Sequence, residues 1–156
     1  MSGLTRGTVI IGLLAMAGCG TSAPSEAPAA TAVEIDFADA PLDMDAIDCD
    51  DLLTEEEVEG IVGEDVRPLG RSFSSCYWIG NRTAVQLVFN TQSVDEWRAA
   101  LLETYTDRLP IDGVEVWAEP GSESIAGFGP GRGAVVHGVQ SREEALAILL
   151  LALARL

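Results

Sequence analysis

The sequence predicts an α+β domain, with a mainly antiparallel sheet of about four to five strands packed with three helices. Two observations predict it. Three times after residue 42 a Ser or Thr stands three residues before a Glu, the pairing in which hydroxyl and carboxylate satisfy each other's first-turn backbone N–H groups at a helix start. Between these starts lie short apolar runs bounded by Gly, Asn and Ser, which read as strands. The resulting order of helix, hairpin, helix, strands and helix keeps pairing strands close along the chain, and the helices can cover one face of the sheet or both.

The first helix opens at Thr54 with Glu57 and stops at Gly63, a residue suited to a left-handed C-cap. Strands are expected over 74–79 and 84–89, joined through Gly80-Asn81-Arg82 as a hairpin. The second helix opens at Ser93 with Glu96 and is expected to run to about residue 108, ahead of Pro110. Val94, Trp97, Leu101 and Tyr105 then form one core-facing stripe at three- and four-residue spacing. Further strands are expected over 114–118, 124–128 and 133–139. The glycines at 127, 129, 131 and 133, with Pro130, serve the last hairpin as positions of positive φ. The third helix opens at Ser141 with Glu144 and carries an unbroken apolar run over 145–154. That run is too short to span a bilayer, which needs roughly 20 residues, so it is buried on the sheet or covered by a partner.

Ahead of this domain, Arg6 precedes an apolar stretch over 8–18 that is about half the length of a spanning helix and ends on small residues, as a cleaved signal does. Met16-Ala17-Gly18-Cys19 resembles the Leu-Ala-Gly-Cys lipobox of bacterial lipoproteins. The resemblance implies diacylglycerol on the Cys19 thiol, cleavage after Gly18, and a chain held on the extracytoplasmic face of the cell membrane by its lipids. Two acyl chains suffice for that, whereas one binds only marginally. Residues 1–18 are then a signal peptide and 19–41 a flexible acidic stalk. Between 20 and 32 the stalk has only Gly, Thr, Ser, Ala, Pro and one Glu, too little apolar surface to offset ordering. Residues 42–156 form the folded domain; residues 33–48 are acidic with scattered apolar side chains, the front part expected to be loose and the back part to dock on the domain.

Loss of residues 1–18 removes Arg6 and takes the net charge from −16 to −17, with eight basic residues left against 25 acidic ones. None of the basic residues is lysine. Nucleic acid is excluded as a partner, because a phosphate backbone calls for the opposite sign of charge. The acidity also discourages contact with anionic headgroups, so the tether holds the domain to the membrane while its charge keeps it off.

With Cys19 assigned to lipid, Cys49 and Cys76 remain, and an exported domain with two cysteines closes them on each other. Neither a C-x-x-C spacing nor companion histidines support a reactive or metal-binding pair. Trp78, on the strand face of Cys76, is expected to pack over the bridge. Cys49-Asp-Asp-Leu-Leu-Thr54, Glu57-Val58, Ile61-Val-Gly63 and Cys76-Tyr-Trp78 together resemble the Cys-x-x-Leu-Leu-Thr … Glu-Val … Leu-Gly … Cys-x-Trp pattern of uncharacterised actinobacterial surface lipoproteins. Ile125-Ala-Gly-Phe-Gly129 and the terminal Leu153-Ala-Arg-Leu156 are similar to that family's late glycine-rich turn and last helix. The resemblance implies a cell-envelope lipoprotein with a disulfide; it brings no catalytic residues.

No constellation spells out a reaction. Asp43, Asp45, Asp48, Asp50 and Asp51 could attract calcium, yet they lack the EF-hand spacing, its turn glycine and its closing Glu, and read as a solvated acidic segment. The alternating glycines lack the Lys-Ser/Thr of a phosphate loop. His137 is the only histidine, and Ser122 and Ser124 lack the G-x-S-x-G elbow, so no nucleophile and base can be paired. His137 therefore reads as structural. Trp117 alternates with Val114 and Val116 and shares a face with Glu115 and Glu119, which singles it out for contact with a ligand or partner. The expectation is a non-enzymatic binding, sensing or envelope-accessory domain, with no metal or cofactor. A carrier of an apolar, lipid-like ligand is the alternative, and it requires an internal cavity of several hundred cubic ångströms.

Overall fold

The computed structural model describes residues 47–90 and 93–156; Cys19, the signal segment, the stalk, Asp43 and Asp45 lie outside them. The elements are α1 (Cys49–Leu52), α2 (Glu55–Val62), β1 (Arg67–Ser72), β2 (Ser75–Ile79), β3 (Ala84–Phe89), α3 (Val94–Leu101), β4 (Asp107–Leu109), β5 (Glu115–Ala118), β6 (Ile125–Gly129), β7 (Arg132–His137) and α4 (Arg142–Arg155). The α+β class holds, with seven strands and four helices in place of the expected counts. The strands form one sheet in the order β1-β2-β3-β7-β6-β5-β4, every neighbouring pair antiparallel. Helix α3 carries the chain to the far edge, and a four-strand meander returns it to pair with β3.

Three elements depart from expectation. Strand β1 was not expected because Arg67-Pro-Leu-Gly-Arg-Ser72 has no apolar alternation; all six residues are exposed, and a bulge interrupts its pairing with β2 between Pro68 and Gly70. Proline, arginine and a bulge are what an edge strand tolerates and a central one does not. Helix α3 stops at Leu101, where the backbone N–H groups of Thr104 and Tyr105 both donate to the Leu101 carbonyl, and the next residues turn into β4. Ser93 makes no side-chain cap there, so that box does not form. The predicted stripe still acts as one surface, since Val94, Trp97 and Leu101 pack on a cluster that includes the buried Tyr105. Helix α1 is a single turn whose N-cap, Asp48, accepts from Asp50 N–H.

The remaining caps follow the sequence. Thr54 and Glu57 form the reciprocal box, and Gly63 takes the left-handed conformation at φ 67°. At α4, Ser141 Oγ accepts from Glu144 N–H, while the Glu144 carboxylate reaches one residue further back, to Gln140 N–H at 2.9 Å. Of the glycines in the last hairpin, Gly131 alone has positive φ (70°), which corrects the expectation for 127, 129 and 133. Gly127 and Gly133 sit where space is tight instead. A Cβ on Gly127 would lie 2.6 Å from Leu149 Cδ2, and one on Gly133 3.0 Å from the Trp97 ring.

These glycines mark the two covered faces. On one face α1, α2 and α4 enclose the main core, in which Trp78, Val85, Leu87, Val116, Ile125 and Val136 meet Ile148, Leu149, Ala152 and Leu153, all at most 1% exposed. The apolar run of α4 is thus buried on the sheet. Its last turn is tied to the first helices, where Arg155 Nη1 donates to the Leu52 carbonyl at 2.8 Å and its guanidinium pairs with the Glu57 carboxylate. The Cys49–Cys76 disulfide forms as expected, joining α1 to β2, and Trp78 sits in the same core cluster as both cysteines. On the other face α3 covers only part of the sheet, over β6 and β7, with Trp97 edge-on to Phe128.

Candidate functional site

Beyond the cover of α3 the second face becomes polar, and register explains how. Tyr77 on β2 lies opposite Gln86 on β3, and Gln86 lies opposite His137 on β7. The row continues at the start of β6, where Ser124 Oγ is 3.0 Å from His137 Nδ1, and ends at Glu119, whose N–H donates to the Ser124 carbonyl. Strand alternation points these side chains away from the main core. Tyr77, Gln86, His137, Ser124 and Glu119 are all half-buried, so the row is open to a partner along its length.

Hydrogen bonds hold the row in place. Gln86 Nε2 donates to Tyr77 Oη at 2.9 Å, and its contact with Ser75 Oγ is long at 3.5 Å. Ser124 N–H donates to Ser122 Oγ, and Ser122 Oγ lies 3.0 Å from Ser124 Oγ. The order that satisfies these groups runs from the Ser122 hydroxyl to Ser124 Oγ and from the Ser124 hydroxyl to His137 Nδ1. Burial holds the His137 imidazole below its ordinary pKa, opposed in part by the Glu119 carboxylate, so the ring is neutral at pH 7. Burial also pushes the Tyr105 phenol up to about 12, with Glu119 adding to the shift. What faces outward is therefore a phenol, an amide, a neutral imidazole and a hydroxyl, with one carboxylate at the end. Such a row recognises by hydrogen bonds rather than by charge.

The sequence did not reveal this row. It lies on separate strands with no local motif, and pairing register alone assembles it. The Ser124–His137 contact at 3.0 Å is a pairing that no sequence motif marks.

Trp117 lies on the same face, on the side toward α3. It is half-buried against the second cluster, its Nε1 donates to Glu115 Oε1 at 2.6 Å, and the Arg108 guanidinium stands 6.0 Å from its ring. Arg98 of α3 grips the same carboxylate through Nε and Nη2, at 2.9 and 2.6 Å, and holds the Glu115 pKa below its usual range. The polar handle of Trp117 is thus used inside the fold, in a network that fastens α3 to β5. Among the described residues, no group of three or more His, Cys, Asp or Glu side chains is arranged to hold a metal ion. A groove of about 390 Å3 opens to solvent between Asp65, Val66, Arg67, Ile79, Gly80 and Asn81. Compared with models of known protein families, with curated proteins and with solved structures, the chain matches none.

Proposed function

We propose that this chain is a lipid-anchored domain on the extracytoplasmic face of the cell membrane, where it binds a polar component of the envelope without catalysing a reaction. The observation that carries the binding reading is the pre-positioned row of Tyr77, Gln86, His137, Ser124 and Glu119 on a sheet face that α3 leaves open. Membrane attachment rests on Cys19 and its lipobox, and the Cys49–Cys76 bridge fits an oxidising compartment. The apolar-carrier alternative has less support. It needs space between α4 and the sheet, and at Gly127 a single added methyl group would lie 2.6 Å from Leu149 Cδ2 and force that side chain to shift. The groove beside Asn81 is open rather than enclosed.

Site-specific photocrosslinking in intact cells tests the reading. A crosslinker at Gln86 is expected to trap one envelope component that a crosslinker at Glu143, on α4, does not. Equal capture from both positions would count against it. The Ser124–His137 bond favours a second reading, a serine hydrolase. A fluorophosphonate probe decides between them, and no labelling of Ser124 is expected.

A further inference from the structure

We propose that the turn between β1 and β2 rests in the membrane interface, with Phe73 and Leu69 inserted among the headgroups and upper acyl chains. This inference rests on the lipid-anchored reading above. Among the described residues, the two large apolar side chains left open are Phe73, 93% exposed, and Leu69, 59% exposed, and both belong to this one hairpin. Phe73 has φ 52°, a left-handed conformation costly for a residue with a Cβ, so the fold spends strain on a turn that leaves its largest side chain in the open. The Arg71 side chain fastens the turn, with Nε donating to the Phe73 carbonyl at 2.7 Å.

The same guanidinium identifies the occupant. Arg71 Nη1 donates to the Ile47 carbonyl at 2.9 Å, so the chain arriving from Cys19 joins the domain beside the exposed phenyl ring. Only 27 residues separate Cys19 from Ile47 in the sequence. In the lipid-anchored reading, an anchor that close along the chain keeps the hairpin at high effective concentration over the bilayer, where a contact too weak for a free protein is populated. Local charge permits the approach. From Val66 to Val94 the sequence has three arginines and no acidic residue, the longest carboxylate-free stretch of the folded domain. Asp48, Asp50 and Asp51 stand near the entry point, so attraction to anionic headgroups is not the driving force; burial of Phe73 and Leu69 is. In this pose the polar row, on the half of the strands away from the turn, faces outward to the envelope.

The test uses the full chain on phosphatidylcholine vesicles, with an environment-sensitive fluorescent amino acid at Ser72, beside the turn, or at Glu123, at the opposite end of the sheet. Flotation first reads the anchor. If the chain does not float, the anchored reading has failed, and the hairpin is then read on chain coupled through Cys19 to a maleimide lipid. The Ser72 probe is expected to shift to the blue and to be quenched by lipids carrying a shallow nitroxide, the Glu123 probe to do neither. Combined Phe73→Ser and Leu69→Ser, at exposed positions, is expected to abolish the Ser72 response. The proposal is overturned if both probes respond alike, if the double variant leaves the Ser72 signal unchanged, or if aqueous iodide cannot reach the Ser72 probe before vesicles are added.

Discussion

Gly127→Ala is the substitution that most directly probes how closely α4 sits on the sheet. In a strand, replacing Gly by Ala ordinarily stabilises by roughly 0.5–1 kcal/mol, because Ala has less freedom to lose on folding. Here the new Cβ would lie 2.6 Å from Leu149 Cδ2 and 3.0 Å from Leu153 Cδ1, and both leucines are fully buried. Forcing a methyl group into such a core costs roughly 1–3 kcal/mol, which outweighs the backbone gain. A net loss of about 1–2 kcal/mol is expected, read by urea denaturation with an unchanged slope. Leu149→Ala alone should cost about 2–5 kcal/mol. The double variant should then be more stable than the summed losses by at least about 1 kcal/mol, because the methyl group fills part of the space the leucine vacates. If Gly127→Ala stabilised the domain, or if the two losses simply added, the α4–sheet interface would be loose and the carrier reading would regain ground.

Three further outcomes follow from the same contacts. Replacing Cys49 and Cys76 together by Ala opens a bridge with a sequence separation of 27 and should lower stability by about 3.5 kcal/mol in the chain-entropy model, measurable under oxidising conditions. Arg155 holds the Glu57 carboxyl at about 2, below its ordinary 4.5, so the pair stabilises the fold above pH 4.5 and loses that contribution as pH falls toward 2. Because both side chains are about a third exposed, the contribution is about 1 kcal/mol, and Arg155→Met should flatten the acid limb of the stability curve by that amount. Burial depresses the His137 pKa from 6.5, so the folded state binds its proton less readily than the unfolded chain. Stability is therefore complete above pH 6.5 and declines as pH falls through that value toward the depressed one; His137→Gln should remove the dependence, and an NMR titration midpoint at or above 6.5 would contradict it.

What could be read in the sequence was what local chemistry encodes. Thr54 with Glu57, Gly63 and Ser141 with Glu144 mark helix ends because their partners are three or four residues away. The runs that became β2, β3 and β5 were legible from their apolar patterning. Strand β1 was not, since pairing with β2 holds it in place while none of its side chains is buried. The reach of α3 was overestimated because Tyr105 keeps the helical spacing of the stripe yet enters the cluster from the turn that follows. Trp117 shares the face of Glu115, as strand alternation predicts, but the Arg98 that claims this carboxylate is 17 residues away in sequence. The polar row was invisible for the same reason: Tyr77, Gln86 and His137 become neighbours only once β7 inserts beside β3.

Footprinting of His137 tests the binding surface most directly. As the only histidine in the chain, it gives an unambiguous diethylpyrocarbonate adduct by mass spectrometry. If the row is the surface that engages an envelope partner, modification should be several-fold slower in intact envelopes than in the purified protein, while carbodiimide labelling of Glu143 stays the same in both. Equal reactivity of His137 in the two settings would mean that nothing occupies the row where the protein resides.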